Sequence, residues 1–384
     1  MASTRATPPL LKNLNERTVL DAIRSYAPVS RAEISRRVGI SKPTVSLALQ
    51  SLLDAGLVRE TLPDGDGPSY GAVFFEPVPD AAFVLGLDVG ARFVRGALCD
   101  LTGEVRARQD IEIAERTAEV ALDAIESLST SLLAAVARDA EVDGVVVGVP
   151  GAVLNARIAL VENVTGLEGE QFAADIQQRL GHDVTIENDI NLAALGEQWR
   201  GVARGVDDFA FISIGTGLGA GLVLRGELHR GRNGAAGELD YTRVGLSEDV
   251  DPCAVALCEV ARELAAGRST TLESPYDTRL IFAAARAGDE VALEIVAEEA
   301  RRIALHIAPI AAVADVGLVV LGGGIGANGD LLYDGIRRLL AEWLPEPPRI
   351  EASSLGDAAV LTGALAVGRR AALDNVFVRR RARA

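Results

Sequence analysis

The chain has almost no lysine, few cysteines and no long apolar run. Lys12 and Lys42 are the only lysines among 384 residues, so 36 arginines carry nearly all of the positive charge. Cys99, Cys253 and Cys258 are too few and too scattered for a disulfide framework. No signal-peptide pattern is present at the start. No stretch is apolar for long enough to span a bilayer. Residues 303–320 come nearest, but His306, Pro309 and Asp315 interrupt them. A cytoplasmic protein with no membrane partner is expected. No short-period repeat occurs, which excludes a solenoid.

What is present is an uneven charge. The net charge is −16 overall, yet residues 1–60 carry nine Lys/Arg against five Asp/Glu, or +4, leaving −20 for the remainder. Within that basic segment the pattern is helical. Val19, Leu20 and Ile23 recur at helical spacing before Pro28. Ser30-Arg31-Ala32-Glu33 is a capping box that opens a second helix, with Ile34 and Val38 turned inward. Gly39 suits a sharp turn. Ser41 caps a third helix with Pro43 in its first turn. Val45, Leu49, Leu52 and Leu53 mark that helix's buried face, leaving Ser41, Lys42, Thr44, Ser46 and Gln50 outward.

Short donors and acceptors plus one cation, on the second helix of a helix-turn-helix, are suited to base edges in a major groove. Arg31, Arg36 and Arg37 are placed for phosphates. Residues 56–58 and Phe74-Phe75 read as a two-stranded wing, joined by an acidic turn at residues 63–68. Double-stranded DNA is the expected partner of residues 1–80.

The rest reads as two α/β lobes around a cleft, residues 81–190 and 191–355, with a helix at 356–372 completing the first. Residues 84–90 and 211–217 are both apolar strands that end in glycine-containing turns, and each precedes a second strand. Glycines at 215, 217 and 219, with Thr216, let backbone N–H groups approach phosphate oxygens. Gly322, Gly323 and Gly324 repeat the strand-then-glycine theme. Glu187-Asn188-Asp189 follows a strand and opens a helix, which turns a polar cluster toward a cleft.

Together these pieces resemble the ROK family of repressors, open reading frames and sugar kinases. The matching segments are Asp88-Val89-Gly90, Gly148-Val149-Pro150-Gly151, Glu187-Asn188-Asp189, residues 214–221, Ala236-Gly237-Glu238 and residues 321–326, in the family's order across residues 10–370. The resemblance implies a winged helix-turn-helix followed by a two-lobed hexokinase/actin-like, ribonuclease H-like sugar-kinase fold. It implies a sugar or sugar-phosphate pocket at Asn163, Asn188, Asp189, Glu238 and Tyr241. It also implies phosphate contacts at Asp88, Gly90 and the two later glycine turns, while Arg92, which departs from the family, is suited either to a phosphate or to a solvated hairpin.

The departures from the family are informative. Its kinases carry Asp-x-Gly-Gly-Thr in the first phosphate turn, where this chain has Ala91 and Arg92. In those kinases the residue matching Asp189 takes the proton of the sugar hydroxyl. Tyr241, Asp251, Cys253, Cys258 and Val260 fall on the family's zinc positions, and this is a poor tetrahedral set. No zinc or other cofactor is expected, and ATP with magnesium only if the chain is a kinase. The first reading is a sugar-sensing transcriptional repressor acting as a homodimer or homotetramer. The alternative is a bifunctional ATP-dependent sugar kinase with a DNA-binding head.

Overall fold

The computed structural model describes residues 8–62, 72–136, 142–154, 157–161, 164–241 and 250–383. The head comprises α1 (Pro8–Tyr26), β1 (Val29–Ser30), α2 (Arg31–Val38), α3 (Lys42–Asp54), β2 (Val58–Thr61) and β3 (Phe74–Pro77). Its helix ends follow the caps read from sequence. Ser30 Oγ accepts from Glu33 N at 3.3 Å, and Ser41 Oγ accepts from Thr44 N at 3.4 Å. Gly39 between them sits at φ +68°, a conformation that a Cβ would strain. Leu20, Ile23, Ile34, Leu52 and Leu57 are fully buried in the head's core. Each contributes roughly 1.5–3 kcal/mol by leaving water.

Two details differ from the sequence reading. The first helix starts at Pro8, well before its apolar stripe. The wing also has three strands in the order β1-β3-β2, because Val29 and Ser30 pair with Phe75 and Phe74. A two-residue strand has no periodicity to read. The acidic turn at residues 63–68 lies outside the described residues, which resume at 72.

The first lobe contains β4 (Phe83–Val89), β5 (Phe93–Asp100), β6 (Val105–Glu112), α4 (Ala118–Val136), β7 (Val142–Val149), the small hairpin β8 (Ala152–Leu154) and β9 (Arg157–Ala159), α5 (Gln171–Leu180) and β10 (Val184–Asn188). Then comes α6 (Asp189–Arg200). The second lobe contains β11 (Phe209–Ile214), β12 (Leu218–Leu224), β13 (Glu227–Leu228), α7 (Ala254–Ala265), α8 (Thr278–Arg286), α9 (Glu290–Ala314), β14 (Leu318–Gly322), the single turn α10 (Gly323–Gly326), α11 (Gly329–Trp343) and β15 (Arg349–Ala352). The chain ends in α12 (Ala359–Arg383).

Each lobe is built on a five-stranded sheet, ordered β10-β7-β4-β5-β6 and β13-β12-β11-β14-β15. In both, an antiparallel hairpin (β4/β5, β11/β12) is extended by two parallel strands. The duplication seen in the glycine turns is therefore a duplication of topology. The inner parallel strands β4, β7, β11 and β14 are mostly apolar because helices cover them. Leu85, Leu87, Val147 and Ile125 fill one core, and Ile212, Leu321, Ile303 and Ile336 fill the other.

α6 and α12 bring their backbones together at two glycines. A Cβ on Gly196 would strike the Ala359 carbonyl, and a Cβ on Gly363 would strike the Leu192 carbonyl. α6 is also tied to the loop after β15. Its buried Glu197 accepts from Ser353 Oγ at 2.6 Å, Leu355 N at 3.2 Å and Val202 N at 2.9 Å.

The head meets the body at the turn between β5 and β6. Leu101 in that turn is buried in the head's core, and its N–H donates to Pro79 O at 3.0 Å. Arg24 of α1 is buried beside Cys99 and Asp100. Its Nη1 reaches Asp21 at 3.2 Å, while Nε and Nη2 are buried without an acceptor.

Gly363→Ala is expected to destabilise the body by about 1–3 kcal/mol, because the methyl group meets backbone and not a mobile side chain. A lowered urea midpoint relative to wild type measures this. An unchanged midpoint would show that the two helices can separate freely.

Candidate functional site

Two sites lie at opposite parts of the fold. The first is the exposed side of α3. Lys42 is exposed at its first turn and has no ion-pair partner among the described residues. Ser46 Oγ donates to Lys42 O at 2.9 Å and accepts from Arg31 Nη1 at 3.1 Å. Gln50 Nε2 donates to Asp54 Oδ1 at 2.8 Å. Arg37 Nε holds Glu33 at 2.7 Å and stacks 3.9 Å from the Tyr26 ring centroid, and Arg36 pairs with the same carboxylate. Arg31, Ser46, Lys42 and Thr44 thus form one contiguous polar surface. Arg36 and Arg37 are held one helix away by Glu33.

Sequence reading overlooked Leu47, which is 73% exposed on α3 and faces Leu11 of α1 across an open groove of about 500 Å³. Its position three residues past Thr44 was a helical-period signal that it stands outside the buried stripe of Val45, Ala48, Leu49 and Leu52.

The second site is the cleft. β10 and β11 both deliver the chain to the carboxyl ends of parallel strands, where open α/β sheets bind ligands. Asn188 ends β10 and caps α6. Its Oδ1 accepts from Asn191 N at 2.8 Å and its Nδ2 donates to Gly151 O at 3.0 Å. Asp189 follows in the first turn, where the helix dipole favours a carboxylate.

These two residues line a cavity of about 210 Å³ with Glu238, Asp240 and the Gly215–Thr216–Gly217 turn. At roughly 30 Å³ per water the cavity holds several waters or a small polar ligand. Burial and the nearby Asp88 carboxylate push Asp189 up to about 7. Gly237 lies under this wall at φ +95°, and a Cβ there would strike the Ala220 carbonyl.

The structure brings together Asn188, Asp189, Glu238, Gly215, Thr216, Gly217 and Gly219. Gly322, Gly323 and Gly324 form the neighbouring turn: a Cβ on Gly215 would meet Gly324 N at 3.9 Å. Gly323 at φ +78° has no room for a Cβ against Ile214. Tyr241 ends a short turn after Glu238 (Leu239–Tyr241). Asn163 lies outside the described residues. Asp240 and Ser213 were not anticipated as lining residues.

The first phosphate turn is arranged differently from the expectation. Arg92 is exposed and its Nε donates to Glu112 at 2.9 Å, on the outer edge of the sheet. The guanidinium that meets Asp88 belongs to Arg95, which lies directly across the β4/β5 hairpin from it. Arg95 Nη1 donates to Asp88 Oδ2 at 3.2 Å, and its Nε lies 3.6 Å from Asp110. Burial pushes Asp88 up to about 6, with Arg95 pulling the other way. Gly90 closes that hairpin by donating to Phe93 O at 2.9 Å. Cross-strand pairing, invisible in a motif search, was the signal that would have found Arg95.

The zinc positions do not fit a metal. Asp251 accepts from Cys253 N at 2.8 Å, and Cys258 Sγ donates to Tyr276 O at 3.4 Å, so each group is turned to a protein partner. Among the described residues no three His, Cys, Asp or Glu side chains converge on a metal-sized space. Among the described residues, no helix is long and apolar enough to cross a membrane.

With this geometry in place, the likeness to known proteins is clear. The MarR family's sequence pattern matches residues 13–67, within the head. The xylose repressor of Caldicellulosiruptor bescii is 26% identical over 386 residues, covering 93% of this chain and 96% of its own. The crystal structure of a ROK family transcriptional regulator, a homologue of the E. coli MLC protein, superposes with a TM-score of 0.83 at 23% identity, covering 97% of this chain and all of that one. That likeness is one of fold. A ROK family glucokinase from Streptomyces griseus, solved with glucose and AMPPNP, matches 75% of this chain and all of its own at a TM-score of 0.62 and 28% identity. The ROK family's pattern matches residues 84–371, three quarters of the chain, and the chain belongs to the ROK family.

Proposed function

We propose that the chain is a transcriptional repressor whose kinase-like body binds a sugar or sugar phosphate in the cleft and thereby loosens the head from its operator. One arrangement carries this reading. A helix-turn-helix with Lys42 exposed and Thr44 and Ser46 half-buried on α3 is joined to a cleft where Asn188, Asp189 and Glu238 converge, while the aspartate of the first phosphate turn is held by Arg95. Carboxylates and an amide are suited to sugar hydroxyls. A guanidinium on Asp88 neutralises the carboxylate where the family's kinases handle the nucleotide. The repressors among the relatives make an aldopentose such as D-xylose the first sugar to test. One head covers only a half-site, so a homo-oligomer is part of the proposal.

The second reading, an ATP-dependent sugar kinase with a DNA-binding head, has one observation in its favour. A carboxyl group near 7 is well placed to accept a proton at neutral pH. Sugar-dependent ADP release with D-glucose or D-xylose, abolished by Asp189→Asn, would establish that reading. No ADP release alongside sugar-dependent operator loss supports the repressor.

In the repressor, Lys42→Ala weakens operator binding; where Lys42 meets phosphate alone, the loss is similar on all duplexes and the slope of log affinity against log salt falls by about one. A salt titration of operator binding reads both. Glu238→Ala leaves operator affinity intact and removes the response to sugar. An unchanged response in that variant would move the pocket elsewhere.

Sugar affinity should also depend on pH. The ionised Asp189 accepts from a hydroxyl, so affinity rises up to about pH 7 and then levels off, with roughly a tenfold change per unit on the acid side. Asp189→Asn removes that dependence, as calorimetry from pH 5.5 to 8.5 would show. Stability moves the opposite way. The folded pKa lies above the unfolded value of 3.8, so the penalty for this acid is absent below about pH 4 and complete above about pH 7.

A further inference from the structure

We infer that α6 is the mechanical link between the sugar cleft and the DNA-binding head, with Trp199 and Arg200 as its coupling residues. The inference rests on the repressor reading and names the route that reading needs.

One end of α6 lines the cleft and the other meets the turn that enters the head. At its start, Asn188 and Asp189 line the cavity. At its end, Arg200 Nη2 donates to Gly103 O at 2.7 Å. The length between is 12 residues, about 18 Å at 1.5 Å per residue. Gly103 sits in the turn that enters the head. It donates to Asp100 O at 2.9 Å, and two residues earlier Leu101 is buried in the same cluster as Val19, Leu20, Ile23 and Phe75. Contact therefore runs unbroken from the cleft through α6 and the β5–β6 turn into the core that carries α3.

The middle of the route is stiff. Gly196 and Gly363 allow backbone-to-backbone packing of α6 on α12, and Glu197 fastens α6 to the Ser353–Leu355 segment. A rod held this way moves as a unit. A rotation of roughly 5° about its sugar end displaces the other end by about 1.5 Å.

The junction is shaped to feel such a shift. Gly103 has φ +91°, and a Cβ there would lie 3.0 Å from the Trp199 ring and 3.1 Å from Arg369. Arg200 and Arg369 both stack on that ring, at 4.2 and 4.6 Å from its centroid. Arg369 faces Arg24 of the head, a like charge, across the seam. On the head side, Asp100 locks the turn: its Oδ1 accepts from Thr102 N at 2.9 Å, and its Oδ2 pairs with Arg106, which also reaches Asp80 at 2.6 Å. The Arg200 hydrogen bond and the Trp199 ring thus hold the turn from the α6 side, beside the like-charged Arg24 and Arg369.

The test uses the full chain, an operator duplex from its promoter region, and D-xylose, D-glucose and their phosphates as probes. In Arg200→Ala the ratio of operator Kd with and without sugar is expected to fall by at least about fivefold. The sugar Kd without DNA and the operator Kd without sugar stay within about twofold. Arg200→Lys keeps a donor for Gly103 O and recovers part of the ratio. Trp199 and Trp343 are the only tryptophans, so Trp343→Phe leaves Trp199 as a reporter whose emission shifts on sugar binding. Sugar binding with an unchanged ratio in Arg200→Ala, or with a silent Trp199, overturns the link while leaving the repressor reading standing. Failure of every probe to bind wild type overturns both.

Discussion

The interlock of α6 with α12 is the contact on which the rest of the arrangement depends. Glycines at 196 and 363 bring two helix backbones together where any side chain would hold them apart. α12 in turn lies on the first lobe's sheet, where Gly86 and Gly144 give it room. The helix that begins at the cleft is thereby fixed to the rigid part of the body and reaches the head without slack. A closer crossing also leaves fewer rotamers to absorb a displacement, so movement at one end is passed on and not dissipated.

In the proposed reading, a kinase-shaped body keeps a ligand site and alters its phosphate side. Asn188, Asp189 and Glu238 stand on elements that both lobes supply. The altered side depends on one residue of a neighbouring strand. Arg95 neutralises Asp88 from across the hairpin, where a kinase needs that carboxylate available to the nucleotide. The glycine turns of the second lobe remain, because Gly237 and Gly323 are required by the backbone itself. Their survival is a matter of fold and does not by itself argue for phosphoryl transfer.

Much of this was legible in the sequence where the physics is local. Ser30, Gly39 and Ser41 announced the helix-turn-helix because caps and turns act within four residues. The repeated strand–glycine pattern announced the two lobes because buried parallel strands read as apolar runs. What was missed is what depends on contacts between distant residues. Arg92 stands in the motif, yet it is Arg95 that meets Asp88, since strand pairing decides which cation lies opposite that carboxylate. Leu101 joins the head's core from the body's β5–β6 turn, across the linker. Trp199 and Arg200 carried no motif at all. Their role follows only from α6 ending against the turn at Gly103.

The claim that cleft and head are coupled is tested most directly by linkage, since an effect of sugar on operator binding must equal the effect of operator on sugar binding. Calorimetric titration of D-xylose, or whichever probe binds, into the free protein and into the operator complex gives both constants in one experiment. The account predicts binding to the operator complex weaker by about fivefold or more. Equal affinity for the free and DNA-bound forms would contradict it.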